Sequence, residues 1–245
     1  MPRFFVDNEK INDGIITIKG EDARHISYSL RMAAGDELTV CDENGREYVC
    51  ELKRLDGESV FAEIKEERDG EGEMPISVHL FQAFPKGDKL ELIIQKAVEL
   101  GADSITPFES ERCVKRPKAD KIDKQLLRMK KIADEASKQC GRSRLSKIGS
   151  PLSYSEMLRK ANECDLVLFC YEGCDTDSIR DVLEKKGEKI SSLAIIVGSE
   201  GGFSPSEAEL AESLGCTPVT LGKRILRCET APLYALSCVS FYYEL

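Results

Sequence analysis

What this chain of 245 residues lacks limits its chemistry before anything it contains does. It has no tryptophan, two histidines and an aromatic fraction of 7%. With only His25 and His79 available, a histidine-based triad or a histidine-rich zinc site is poorly supplied, and His79, inside the apolar run SVHLF, reads as a core histidine. No apolar stretch approaches the roughly 18–20 residues of a membrane span. The opening MPRFFVDNEK lacks the apolar core of a signal peptide, so a cytoplasmic protein is expected. No G-x-x-x-x-G-K-[ST] occurs and no G-x-G-x-x-G opens a first βαβ unit, which leaves P-loop and dinucleotide sites unsupported. Ten cysteines are present but none form a C-x-x-C pair, and they are scattered through a chain too long to need stapling. They read as reduced, mostly buried small hydrophobes. Cys170 and Cys174, the nearest pair, are the one place where a metal or redox site deserves a check, and no metal is expected.

Two compositions follow one another along the chain. Up to about residue 72, short alternating runs (GIITI, DELTVCD, EYVCELK, SVFAEI) are separated by the turn signals DG, ENG and DG, the pattern of a small β-barrel or sandwich. The acidic, glycine-bearing EIKEERDGEGEMP, residues 63–75, is the best linker candidate. From residue 73 to 245 strands alternate with helices: ISVHLFQAF, a helix near 87–100, SITPF, a long helix within 118–140, LVLFC, SLAIIVG and PVTLG. That alternation is α/β. The last helix, from Ala231 to Leu245, is apolar almost all round and needs cover on several sides, from its own domain or from another subunit.

Within LAIIVGSEGGFSPSEAEL, residues 193–210, a strand-like run enters a turn of three glycines, a serine and a glutamate. Ser204, Pro205 and Glu207 then spell a capping box with proline at the first helical position, and Gly215 is placed to end the helix. In open α/β sheets ligands bind beyond the carboxyl ends of strands, where glycines let the main chain approach them closely. The same composition also suits a tight connection with no ligand. A second glycine turn of similar character, LGKRILRCETAPLYAL, runs from the PVTLG strand into the last helix.

The formal charge of −9 argues against nucleic acid only until its distribution is read. Residues 112–147 carry 13 Lys or Arg against 4 Asp or Glu, and the rest of the chain 22 against 40. Such segregation suits a phosphate-facing stripe of Arg112, Lys115, Arg116, Lys118, Lys138, Arg142 and Arg144, as against a solvated helix face. A smaller basic set, Arg3, Arg24 and Arg31, lies in the β-rich part, and small β-barrels often carry oligonucleotide sites.

Taken in order, MPRFFV, QAFPKGDKLELIIQKAVELGADSITPF, EASKQCGRSR, VGSEGGFS and LGKRILRCETA resemble the RsmE family of ribosomal RNA uridine N3 methyltransferases over nearly the whole chain. The resemblance implies a PUA-like β-barrel that binds RNA, residues 1–72, before an α/β domain of the SPOUT class, residues 73–245, with a trefoil knot and a homodimer interface through the knotted region. It implies S-adenosylmethionine as cofactor and N3 of one uridine in small-subunit ribosomal RNA, free or assembled, as target. Gly198, Gly201, Gly202, Leu221, Gly222, Ile225 and Leu226 would then form the cofactor pocket, with Glu200 either a polar contact to cofactor or substrate or a favourable acidic group near the start of the following helix. Two positions depart from the family pattern: Ser199 stands where GPEGG has proline, and Ser146 where a proline is common. Arg227 would stabilise negative charge on the uracil during transfer, and Glu229 would take the N3 proton or orient Arg227. An Arg227–Glu229 ion pair that merely fixes the turn is the alternative. A SPOUT enzyme acting on a ribose 2′-hydroxyl or another base, and an RNA-binding assembly factor without catalysis, also remain open.

Overall fold

The computed structural model describes residues 1–56, 58–114, 121–172, 176–186 and 189–245. Two compact units are present, Met1–Glu73 together with Ser137–Leu145, and Met74–Ala136 together with Ser146–Leu245.

In the first unit, β1 (Arg3–Phe5), β2 (Ile11–Asn12), β3 (Ile15–Lys19), β4 (Glu37–Cys41), β5 (Arg46–Asp56) and β6 (Ser59–Asp69) form one sheet in the order β1-β4-β5-β6-β3-β2. Alternation does what the runs imply: Ile16, Ile18, Leu38, Val40, Cys50, Leu52, Val60 and Ala62 are all buried on one face. A short helix α1 (Glu21–Arg24) and a single π turn, His25–Ser29, bring Ala23 and Ile26 onto that core. Residues 63–69 of the acidic run expected to be a linker are the second half of β6, paired with Arg46–Glu51 of β5, while the change from one unit to the other falls near the run's end, between Glu73 and Met74. Its acids are compatible with a strand because basic side chains stand beside them. Lys53 lies 3.0 Å from Glu63, Lys65 lies 3.2 Å from Glu51, and Arg46 lies 3.5 Å from Glu67.

In the second unit, β7 (Ser77–Ala83), β8 (Ser104–Glu109), β9 (Lys147–Ile148), β10 (Leu152–Ser153), β11 (Leu166–Cys170), β12 (Asp177–Ser178), β13 (Ser192–Val197) and β14 (Thr217–Thr220) form a second sheet. Its order is β10-β8-β7-β13-β11-β14-β12, with β9 on β8, and every pairing is parallel. A parallel sheet needs helices on its faces, which is why Leu193–Val197 is buried residue after residue rather than alternately. The helices are α2 (Lys89–Glu99), α3 (Ile122–Cys140), α4 (Tyr154–Ala161), α5 (Ile179–Lys186), α6 (Pro205–Ser213) and α7 (Thr230–Glu244). The α2 stripe Leu90, Ile93, Ile94, Ala97 and Val98 is buried as its period requires. After β14, α7 turns back to pack on β13 and α2, crossing the sheet rather than extending it. No helix among the described residues is long and apolar enough to cross a membrane.

Candidate active site

The first glycine turn leaves β13 at its carboxyl end, in the middle of the parallel sheet. Gly202 donates its N–H to Ser199 O at 3.0 Å with a φ of 61°, a left-handed conformation that a side chain disfavours. Ser204 then accepts from Glu207 N while the Glu207 carboxylate accepts from Ser204 N, the capping box that starts α6. From the neighbouring strand, Gln82 donates Nε2 to Gly198 O at 3.1 Å and to Ala83 O at 3.0 Å. Its Oε1 is buried and has no hydrogen-bond partner among the described residues. The outer side of the turn rests on Arg112, whose guanidinium donates to Gly201 O at 3.1 Å. A Cβ on Gly201 would stand 2.9 Å from Arg112 Cβ and 3.3 Å from Arg112 O, so the glycine serves this close approach. Ser199, the departure from proline, donates its hydroxyl to Arg112 O at 3.4 Å, a contact proline would not make.

The second turn joins β14 to α7. Gly222 has a φ of 103°, and Gly222 N donates to Thr220 Oγ1 at 3.2 Å. Leu221 and Leu226 are half-buried against the core, whereas Ile225 is 84% exposed. Arg227 O accepts from Thr230 N at 2.8 Å and from Ala231 N at 2.9 Å. The Arg227 backbone thereby fixes the start of α7, while its side chain stays 83% exposed with Nη1 4.0 Å from Glu229 Oε1. At that distance Glu229 does not hold the guanidinium in a hydrogen bond.

One residue joins the turns. Lys89, the first residue of α2, places Nζ 2.9 Å from Glu200 of the first turn and 3.1 Å from Glu229 of the second, with Cys228 Sγ at 3.7 Å. Glu200 is anchored further by Lys86 N–H, at 3.1 Å, so it belongs to this clamp rather than to the start of α6. Partial burial pushes the Glu200 carboxyl up, but Lys89 and the backbone donors outweigh it and bring it down to about 2. Glu229 is held low in the same balance, burial opposed by its own backbone N–H, Cys228 and Lys89. Both are carboxylates at neutral pH, and burial beside them pushes the Cys228 thiol up to about 12. Lys89→Met is expected to lower S-adenosylmethionine affinity on the order of tenfold, the scale of a charge-assisted contact. A carboxyl depressed from 4.5 to about 2 contributes stability that is full above about pH 4.5 and is lost as pH falls toward 2. The stability gap between wild type and Lys89→Met, followed by urea unfolding from pH 7 to 3, should therefore narrow below about pH 4.5.

The basic residues expected to meet RNA are dispersed. Arg112 is exposed and holds the first glycine turn. Arg3 lies on Glu47 at 2.5 Å and Cys41 Sγ at 2.9 Å, with 14% of its side chain exposed. Arg24 pairs with Glu58 at 2.7 Å on the surface, and Arg31 is exposed with a φ of 54°. Lys138 pairs with Asp22 at 2.5 Å. Arg142 is a correction: it is 3% exposed, its guanidinium is spent on Glu73, and Glu73 also accepts from the N–H groups of Ser143 and Arg144. Arg144 donates to Asn44 O at 2.9 and 3.2 Å. These two arginines fasten residues 137–145 inside the first unit. Arg142→Ala should cost about 1–3 kcal/mol of that unit's stability in thermal unfolding, with cofactor affinity unchanged, because Glu73 loses a charged donor. Lys115, Arg116, Lys118 and Cys174 lie outside the described residues.

Sequence reasoning missed Lys89 and Gln82. Lys89 had been visible only as a polar position on α2, and Gln82 as one residue in an apolar strand, so neither carried a local signal. Together with the turns they fit a cofactor that is recognised through the main chain. A Cβ on Gly202 or Gly222 would meet nothing within 4 Å, so the backbone there faces open space. Among the described residues no group of three His, Cys, Asp or Glu side chains is placed to hold a metal ion.

Residues 72–240 match the family model of an RNA methyltransferase domain, and residues 18–65 that of an RNA methyltransferase PUA domain. The chain is 37% identical to the ribosomal RNA small subunit methyltransferase E of Bacillus subtilis, covering 100% of this chain and 98% of that protein. It is 31% identical to the protein of the same name from Synechocystis, covering 99% of this chain and 78% of the relative. A ribosomal RNA small subunit methyltransferase E from Neisseria gonorrhoeae, solved bound to S-adenosyl methionine, superimposes with a TM-score of 0.86 at 30% identity, over 99% of this chain and 98% of that one.

Proposed function

The chain belongs to the ribosomal RNA small subunit methyltransferase E family, a SPOUT-type α/β fold with a PUA domain, and from that premise we propose that it methylates N3 of one uridine in small-subunit ribosomal RNA. It is an S-adenosylmethionine-dependent ribosomal RNA methyltransferase. The observation that carries the finer reading is the exposed Arg227 guanidinium beside a clamp that ties both glycine turns to Lys89.

Gly198, Gly201, Gly202, Leu221, Gly222, Ile225 and Leu226 would hold the cofactor, with Gln82 Oε1 as an available acceptor next to Gly198. Bound S-adenosylmethionine supplies a methyl group activated by its sulfonium. The uracil N3 is protonated at neutral pH, and negative charge spreads over the ring nitrogen and its flanking carbonyl oxygens as that proton passes to solvent water. Arg227 would be the cation that stabilises this charge, since its ion pair with Glu229 is long, at 4.0 Å, and its side chain is 83% exposed. Glu229, held ionised by Lys89, keeps the second turn in place; a carboxyl depressed this way is a poor proton acceptor, so its role is orientation. Fixing the reacting groups in line is itself worth roughly 7–11 kcal/mol.

Residues 1–72 would serve RNA binding and 73–245 the transfer, in the cytoplasm where the ribosomal substrate is found. A second copy would cover α7, whose Ala231, Ala235, Leu236 and Val239 are buried while Tyr234, Phe241 and Leu245 are 44%, 70% and 94% exposed. Phe241→Asp should shift the protein from dimer to monomer in sedimentation velocity; an unchanged dimer would remove α7 from the interface. The reaction itself is tested by nucleoside mass spectrometry of unmodified small-subunit RNA treated with protein and S-adenosylmethionine. 3-Methyluridine is expected, and a ribose-methylated product would replace this reading with the 2′-hydroxyl one.

A further inference from the structure

The exposed face of α3 and a cavity beneath it were not singled out by sequence motifs, and the two adjoin. Lys124, Leu127, Arg128 and Lys131 follow the i, i+3, i+4, i+7 spacing of one helix face, and all four are exposed. Leu127 is 71% exposed in this basic setting, an apolar side chain with no core to join. Next to it, α3 and the start of α2 enclose a cavity of ≈ 160 Å³ lined by the buried side chains Phe84, Leu90 and Met129 and by the polar Gln125, Arg128 and Glu91. That is below the roughly 300–1,000 Å³ of sites for drug-sized ligands and is suited to a single small ring. Arg128 belongs to both features, since it pairs with Glu91 at 2.7 Å and keeps 68% of its side chain exposed. The turn at one edge of the cavity, Pro85–Asp88, also carries Lys86 N–H, the donor to Glu200 of the first glycine turn.

We propose that this face binds a single-stranded segment of the RNA substrate, with phosphates on Lys124, Arg128 and Lys131 and one unpaired base in the cavity between α2 and α3. The proposal rests on the ribosomal RNA reading above and adds to it the surface that holds the strand. The chemistry is that of single-strand binding generally: cations follow the backbone, and an apolar slot with an amide at its edge accepts a base face with little preference for sequence. It also explains why the basic composition of residues 112–147 survives the loss of Arg142 as a phosphate contact. Among the described residues of that stretch, Lys124, Arg128, Lys130 and Lys131 of α3 are exposed together.

The test is binding, measured by filter retention of transcribed small-subunit RNA as a function of salt, with cofactor affinity by calorimetry as the control for folding. Lys124→Gln with Lys131→Gln should weaken RNA binding and reduce the salt slope by about 1.4, from about 0.7 per phosphate on a single strand. Gln125→Trp, which fills the cavity from its edge, should weaken binding about tenfold at an unchanged slope, and Gln125→Ala should do so less. A uridine oligonucleotide should outcompete its abasic counterpart on the wild type but not on Gln125→Trp. An unchanged slope in the lysine pair overturns the phosphate track, and an unchanged preference for bases in Gln125→Trp overturns the pocket. Wild-type protein that binds RNA and yields 3-methyluridine while both variants behave as wild type sinks this proposal alone. Wild-type protein that fails to bind the RNA sinks the ribosomal reading with it.

Discussion

Replacing Arg227 with alanine should lower the single-turnover methylation rate about 100- to 1,000-fold, the usual cost of one electrostatic contact made only in the transition state, with cofactor and RNA affinities nearly unchanged. The geometry separates this outcome from its alternative. The Arg227–Glu229 ion pair is long, at 4.0 Å, and the guanidinium is 83% exposed, so that pair adds little to holding the loop. The loop is pinned by backbone instead, through Arg227 O and the first N–H groups of α7, and by Lys89 through Glu229. Alanine keeps all of those contacts. Arg227→Lys should recover part of the rate, since a point charge cannot reproduce two parallel donors. A loss of cofactor affinity large enough to account for the whole fall in rate, in both variants, would return Arg227 to a structural role.

The second large effect is expected at Gly201. A valine there must push the turn away from Arg112, because even its Cβ would stand 2.9 Å from Arg112 Cβ and 3.3 Å from the Arg112 carbonyl. That shift breaks the Arg112–Gly201 and Ser199–Arg112 hydrogen bonds and displaces Glu200 from Lys89. Overpacking of this kind costs about 1–3 kcal/mol, so S-adenosylmethionine affinity should fall roughly 10- to 100-fold in calorimetry while the circular dichroism spectrum stays native. The mechanism differs from simple obstruction of the pocket, since the methyl groups would point at Arg112. Gly202→Ala makes the contrast. Nothing lies within 4 Å of its Cβ, and it pays only for a left-handed backbone, roughly 1 kcal/mol. Equal losses in the two variants would mean that backbone conformation, not the packing on Arg112, sets the affinity.

Much of this protein was legible because its signals are local. The capping box of Ser204 and Glu207 spans three residues, the α2 stripe repeats every turn, and the apolar run at 193–197 is as long as the buried strand it forms. Both glycine turns and Arg227 lay inside motifs that could be read without coordinates. The acidic stretch 63–69 misled for the same reason: its charge was read from its own residues, while the Lys and Arg side chains that make it a strand come largely from β5. Arg142 misled likewise, its composition announcing a cation and only the fold revealing Glu73, 69 residues away, as its partner. Lys89 is 111 residues from Glu200, and no spacing rule reaches that far. Helical period, caps and turns are set by bonds between near neighbours and so are written in sequence. Whether a charge faces solvent, a carboxylate or a ligand is set by which strands lie side by side, and that is decided only when the sheet closes its order and α7 turns back across it.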